Sequence, residues 1–269
     1  AYCFFKKDAM HNDLTAGKPG KLILMFTLPL LIGNLFQQFY SMADTIIVGR
    51  TIDVYALAAV GATGAIAFLI LGFVQGVTSG FSVITAQRVG AQDEQDVRRS
   101  VATSIILSVG VTIMITVLGV LTARPLLERM HTPADIIDDA YNYIIVIYYG
   151  IVASVFFNLF SSIVRALGDS KTPLIFLVVA CMINIVLDFV CILVFRMGVA
   201  GAGWATIIAQ AISAILCLLY SLKRFPVLRL HREDWTLSWD FAEQHLRIGL
   251  PMAFQFSVTA IGVMIMQAA

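Results

Sequence analysis

Six uninterrupted apolar runs, each long enough to cross a bilayer, constrain this chain more than any motif in it. They lie at roughly residues 22–48, 56–84, 101–121, 141–163, 174–195 and 198–220, and a seventh begins near Ile248. About 20 apolar residues in helical form cover the hydrocarbon core. In lipid only helices and closed barrels satisfy every backbone group, and the runs lack the alternation of barrel strands. The expected fold is therefore an all-α polytopic membrane protein: a six-helix transmembrane bundle plus a truncated seventh helix. Composition agrees, with 59% hydrophobic and 13% charged residues. A net charge of +1 leaves no basic field for nucleic acid, which is excluded as a partner.

The few charges orient the bundle. Of 18 Lys and Arg, 14 fall in the N-terminal tail and the connections on its side, whereas Arg50, Arg124, Arg129 and Arg196 fall opposite. This bias places the N-terminus in the cytoplasm of a multi-pass protein of the cell (inner) membrane. The N-terminus has no signal-peptide pattern; Met10 reads as the natural start, with Ala1 to Ala9 an upstream read-through or a leader of unknown origin. Cys3, Cys181, Cys191 and Cys217 show no CxxC or zinc spacing and read as small hydrophobes. His11, His131, His231 and His245 all fall outside the apolar runs, which argues against a histidine proton relay in the membrane.

Fifteen of the 17 acidic residues lie in or beside the connections, and the two exceptions are Asp44 in the first span and Asp188 in the fifth. A carboxylate at mid-membrane costs about 2.5 to 3.5 kcal/mol on insertion scales and usually marks a functional site. At a rise of about 1.5 Å per residue both lie about 8 to 12 Å inside the outer end, at similar depth. Asn184 stands one turn before Asp188 on the same face. In the first span Asn34, Gln37, Gln38, Ser41 and Thr45 recur at spacings of three and four with Asp44, which predicts a polar face toward a cavity or partner helices. Pro29 in the same span predicts a kink or hinge.

Other positions read as packing or anchoring. Gly72, Gly76 and Gly80, with Gly61 and Gly64 upstream, form a ladder that admits a neighbouring backbone. Trp235, Trp239 and Phe225 read as a cytoplasmic interfacial belt, and Tyr148 and Tyr149 either pack or face a cavity. RIGLPMAF (Arg247 to Phe254) echoes LMFTLPLL (Leu24 to Leu31) six spans later, the sign of a parallel repeat. The resulting division is a cytoplasmic tail (1–20), a six-helix N-lobe (21–224), a cytoplasmic linker (225–246) and the start of a second lobe (247–269).

KLILMFTLPLLIGNLFQQFYSMADTIIVGR (Lys21 to Arg50) and RALGDSKTP (Arg165 to Pro173) together resemble the first helix and the helix four–five loop of multidrug and toxic compound extrusion (MATE) transporters. The resemblance runs from about Asp13 onward. It implies a twelve-helix, two-lobe protein that is no enzyme and exports small organic, often cationic compounds in exchange for H+ or Na+. No cofactor is implied beyond that coupling ion, and the partners are the substrates, the bilayer and a C-terminal lobe of the same chain. Carried over by residue, the cation or proton site falls on Asp44, Asn184, Asp188 and Thr206, with Na+ possible at the first three. Substrate-cavity positions fall on Gln37, Tyr40, Tyr143 and Asn158, and the bent first helix has its proline at Pro29.

Three alternatives are weaker. A flippase for lipid-linked sugars would need basic residues in the spans, where none is found. An intramembrane aspartyl protease would need GxGD, but Val186 and Leu187 precede Asp188, and the Gly168-Asp169 pair sits in a loop behind Ala166. The third is that the chain is an inactive half-transporter fragment.

Overall fold

A computed structural model describes residues 19–52, 54–130, 132–236 and 238–268. Most of the expected N-terminal tail, including Cys3, Met10 and His11, and also His131, lie outside the described residues. Seven α-helices follow in order: α1 Pro19–Thr51, α2 Val54–Gly90, α3 Glu94–Arg129, α4 Ile137–Ala166, α5 Lys171–Phe189, α6 Val199–Arg224 and α7 Trp239–Ala268. No strand occurs among the described residues. The first six helices are long and apolar enough to cross a membrane.

Most helices run past the apolar stretches that announced them, and in α3 a side-chain cap holds the polar end. Asp93 Oδ1 accepts from Asp96 N at 3.0 Å and starts α3 seven residues before its apolar run. The seventh helix begins at Trp239 rather than near Ile248. Arg165, expected in a loop, lies in the last turn of α4 and donates to Ser162 Oγ at 2.7 Å.

The loop of the GDSKTP motif shows what that motif builds. Gly168 takes a positive φ of 91°, which turns the chain out of α4. Asp169 then accepts from Lys171 N (3.1 Å) and Thr172 N (3.0 Å) through Oδ1, and from Thr172 Oγ1 (2.6 Å) and Tyr220 OH (2.9 Å) through Oδ2. Burial pushes the Asp169 carboxyl up, but these hydrogen bonds outweigh it and hold the group below its usual range. A depressed carboxylate contributes stability above its unfolded pKa of about 4 and loses it as pH falls through the lower folded value. Asp169→Ala should therefore cost about 1 kcal/mol at pH 7. In thermal unfolding scans the gap to the parent should close as the pH drops below about 4.

α4 is the axis of the bundle and α1 its edge: 67% of the apolar window of α4 is buried, against 11% for α1. α4 packs on α2, α3 and α6; α6 leads to α5, α5 to α1, and α7 lies along α2. Large apolar side chains such as Ile113, Val117 and Leu121 of α3 point outward, as lipid-facing residues do. The α2–α7 contact is made by backbone on backbone. A Cβ on Gly76 would fall 2.5 Å from Ala253 Cα, and one on Gly80 2.5 Å from Gly249 Cα. Gly61 and Gly64, expected in the same ladder, face open space.

Phe225 departs from the expected belt. It is buried among Leu167, Cys217 and Leu228, because the chain after α6 folds back under α3 and α4, whereas Trp235 and Trp239 are exposed. Tyr148 is buried against Gly119, a packing role, and Tyr149 is exposed. His245 lies outside the apolar runs as expected, yet it is fully buried between α2 and α3. Its Nε2 pairs with Ser100 Oγ at 3.0 Å, its Nδ1 with the Phe241 carbonyl at 2.7 Å, and Phe81 meets the ring edge-on.

Candidate functional site

Asp44 and Asp188 reach one place from different helices. α1 packs on α5, and Asp44 is buried on α1 together with Ile47 and Val48. Asp188 and Asn184 lie one turn apart on α5, both fully buried. The two carboxyls are within hydrogen-bonding reach of each other. Each nevertheless keeps one buried oxygen, Oδ1, without a partner among the described residues.

The side chains around the pair form a directed chain of hydrogen bonds. Tyr40 OH donates to Thr206 Oγ1 at 3.2 Å. With the Asn184 amide oriented to satisfy both neighbours, its oxygen accepts from Thr206 Oγ1 at 3.3 Å and from Thr206 N at 3.2 Å, and its nitrogen donates to Asp188 Oδ2 at 3.1 Å. The chain thus runs from α1 through α6 to α5 and ends on a carboxylate. Tyr143 of α4 is buried in the same apolar cluster as Ile47, Val48 and Ile192, the neighbours of the two acids along α1 and the π-turn. Gly203 makes room for it, since a Cβ there would meet Val146 at 3.0 Å and Tyr143 at 3.6 Å. Immediately after α5 the chain widens into a π-helix, Val190–Val194, closed by Phe195 N to Val190 O at 3.0 Å. Such turns recur at functional sites.

All four residues expected at the ion site, Asp44, Asn184, Asp188 and Thr206, are therefore neighbours. Of the four expected to line a substrate cavity, Tyr40 and Tyr143 join this same cluster. Their register shows why: Tyr40 is one turn before Asp44, and Tyr143 faces α6 across Gly203. Gln37 is exposed, as are Asn34, Gln38, Ser41 and Thr45. Ser41 Oγ and Thr45 Oγ1 spend their donors on the carbonyls of Gln37 and Ser41. Of this polar face, only Asp44 is buried. Asn158 lies elsewhere, four turns along α4 from Tyr143, and bonds to the Ser154 carbonyl at 2.8 Å. Pro29 is buried within α1, which passes through it as one helix.

The MatE family model matches residues 29–190, more than half of the chain and both acids. The chain belongs to the MatE family. The probable multidrug resistance protein YpnP of Bacillus subtilis is 30% identical over 94% of this chain and 56% of its own length. The probable multidrug resistance protein NorM of Thermotoga maritima is 26% identical over 91% of this chain and 53% of its own. Among solved structures, a MOP superfamily transporter from Pyrococcus furiosus superposes with a TM-score of 0.86 at 28% identity, over 96% of this chain and 57% of that one. A MATE structure described as the bent conformation gives 0.81 at 30% identity, over 88% and 53%. The chain spans about half the length of the curated relatives it matches. It is thus a MATE multidrug-efflux family member and a multi-pass membrane protein.

Proposed function

We propose that this MATE chain works as the ion-coupled part of an efflux transporter that exports small organic, often cationic compounds in exchange for H+ or Na+ through Asp44 and Asp188. One observation carries the reading: two carboxyls from separate helices are buried close together, and each retains an oxygen with no hydrogen-bond partner among the described residues. A buried acid pair is costly unless a cation or proton sits between its members. Ion binding favours the packing of α1 on α5, and release favours another. Ion and drug then compete through one two-state element, with Pro29 as the place where α1 can bend.

The donor set favours a proton. Hard cations take a shell of several oxygens. Here Asn184 and Thr206 are already bonded to each other, which leaves Asp44 Oδ1 and Asp188 Oδ1 free. Within this reading residues 21–224 form the N-lobe, 225–246 the cytoplasmic linker and 247–269 the start of a second lobe that completes the substrate cavity. The N-terminus faces the cytoplasm of the cell membrane. Chemistry on the substrate is not part of it, so the protein is no enzyme.

Proteoliposomes with separately imposed pH and sodium gradients test the reading. Drug should move against its gradient when a pH gradient is the sole driving force, and a sodium gradient alone should leave it at equilibrium. A correctly inserted protein that moves no drug under either gradient would overturn the coupling.

A further inference from the structure

The bundle contains a second polar feature that the carboxylate site does not use. On α6, Thr206, Gln210, Ser213, Cys217 and Ser221 follow one another at steps of four, three, four and four, so they share one face. On α4, which runs beside α6 in the same direction, Ser154, Asn158, Ser161 and Arg165 follow at steps of four, three and four. The two faces meet. Ser154 Oγ donates to Gln210 Oε1, and Ser161 lies against the Cys217 thiol. At its upper end the seam begins with Thr206, which is bonded to Tyr40 and Asn184 of the acid site. At its lower end it reaches the Asp169, Thr172 and Tyr220 cluster at the loop before α5. Successive rungs are about 5 to 6 Å apart along the helices, a gap that one water molecule bridges.

An independent observation points to water in the seam. Ser213 Oγ is fully buried with no hydrogen-bond partner among the described residues. Ser161, 3% exposed, has no partner there beyond the weakly bonding Cys217 thiol. Buried hydroxyls in a bundle are normally satisfied, and where protein supplies no partner ordered water does so.

We propose that the α4–α6 seam is a hydrated path that carries the proton of the Asp44–Asp188 pair to the cytoplasm, with Ser213 and Ser161 as positioning residues for its water. The path rests on the proton-coupled reading above. Asp188 gives up its proton and is left as a carboxylate; each water in the row accepts one proton and passes one on, and the proton leaves into the cytoplasm beside Asp169. Thr206 is the junction. Its hydroxyl is held by Tyr40 of α1, so movement of α1 opens the path, and the pair does not face both sides at once.

The test uses the full-length protein in proteoliposomes, with ethidium as the transported cation and a pH gradient as the driving force. Ser161→Ala combined with Ser213→Val should slow the initial rate about tenfold or more, because ordered proton transfer is lost. Ethidium binding and its pH midpoint should stay at the parent values, since the acids are intact. Ser213→Thr, which restores the hydroxyl, should keep the parent rate. A double variant as fast as the parent overturns the path, as does Ser213→Thr slowed equally with Ser213→Val. Transport driven by sodium alone also overturns it while leaving Asp44 and Asp188 as the coupling site. Asp44→Asn run alongside separates the two failures: full pH-driven transport in that variant removes the coupling reading itself.

Discussion

Asp44→Asn should abolish pH-driven drug accumulation while leaving the protein folded and inserted. The driving force lost with one coupled proton is about 1.4 kcal/mol for each pH unit of the imposed gradient. That corresponds to about a tenfold drop, for each pH unit, in the drug gradient the protein can sustain. The substitution keeps the shape of the side chain and replaces a titratable oxygen with an amide, so Asp188 and its Asn184 and Thr206 partners stay in place. Removing one of two touching buried acids should also leave the thermal midpoint in detergent unchanged or raised. Drug accumulation at the parental level, with normal amounts of protein in the membrane, would remove Asp44 from the coupling machinery.

The second large effect is structural and falls at the α2–α7 contact. Gly76→Val should separate the two helices, because its first added atom already lies 2.5 Å from Ala253 Cα and 2.6 Å from the Met252 carbonyl oxygen. Both obstacles are backbone, so no side chain can rotate out of the way. Overpacking of this kind costs about 1 to 3 kcal/mol, and the loss of van der Waals contact along α7 adds to it. Gly64→Ala on the same helix is the control, since nothing lies within 4 Å of the added atom. Thermal unfolding in detergent should separate the two variants clearly. Equal stability would show that the Gly76 and Gly80 approach does not hold α7 in place.

Asp44 and Asp188 show how a site is legible before any fold is known. Acids inside apolar runs are rare for an energetic reason, and their matching depth follows from helix rise alone. Asn184 followed from its position one turn away. Thr206, by contrast, was reached only through resemblance to MATE relatives, because a threonine in an apolar run costs little and leaves no mark. Tyr40 and Tyr143 were expected in a substrate cavity, and only their packing around α6 put them beside the acids. The α4 and α6 polar stripes were present as regular spacings of Ser, Asn and Gln. They carried no weight until the two helices were seen to face each other.

His245 marks the same boundary from the other side. It lies outside the apolar runs and is still fully buried, because α7 starts two turns before its apolar stretch and lies on α2 and α3. The amino-acid sequence alone carries what the cost of placing groups in lipid governs: the number of spans, the helical class and the two acids within them. Tertiary packing set the pairing of faces: which side of α1 meets α5, that Asp44 alone of its polar face is buried, and which glycines touch α7. The physical reason is that lipid acts on each helix alone, and reports its length and its polar exceptions. Helix-to-helix packing depends on shape and hydrogen bonds between residues far apart in the chain, and no single helix contains that information.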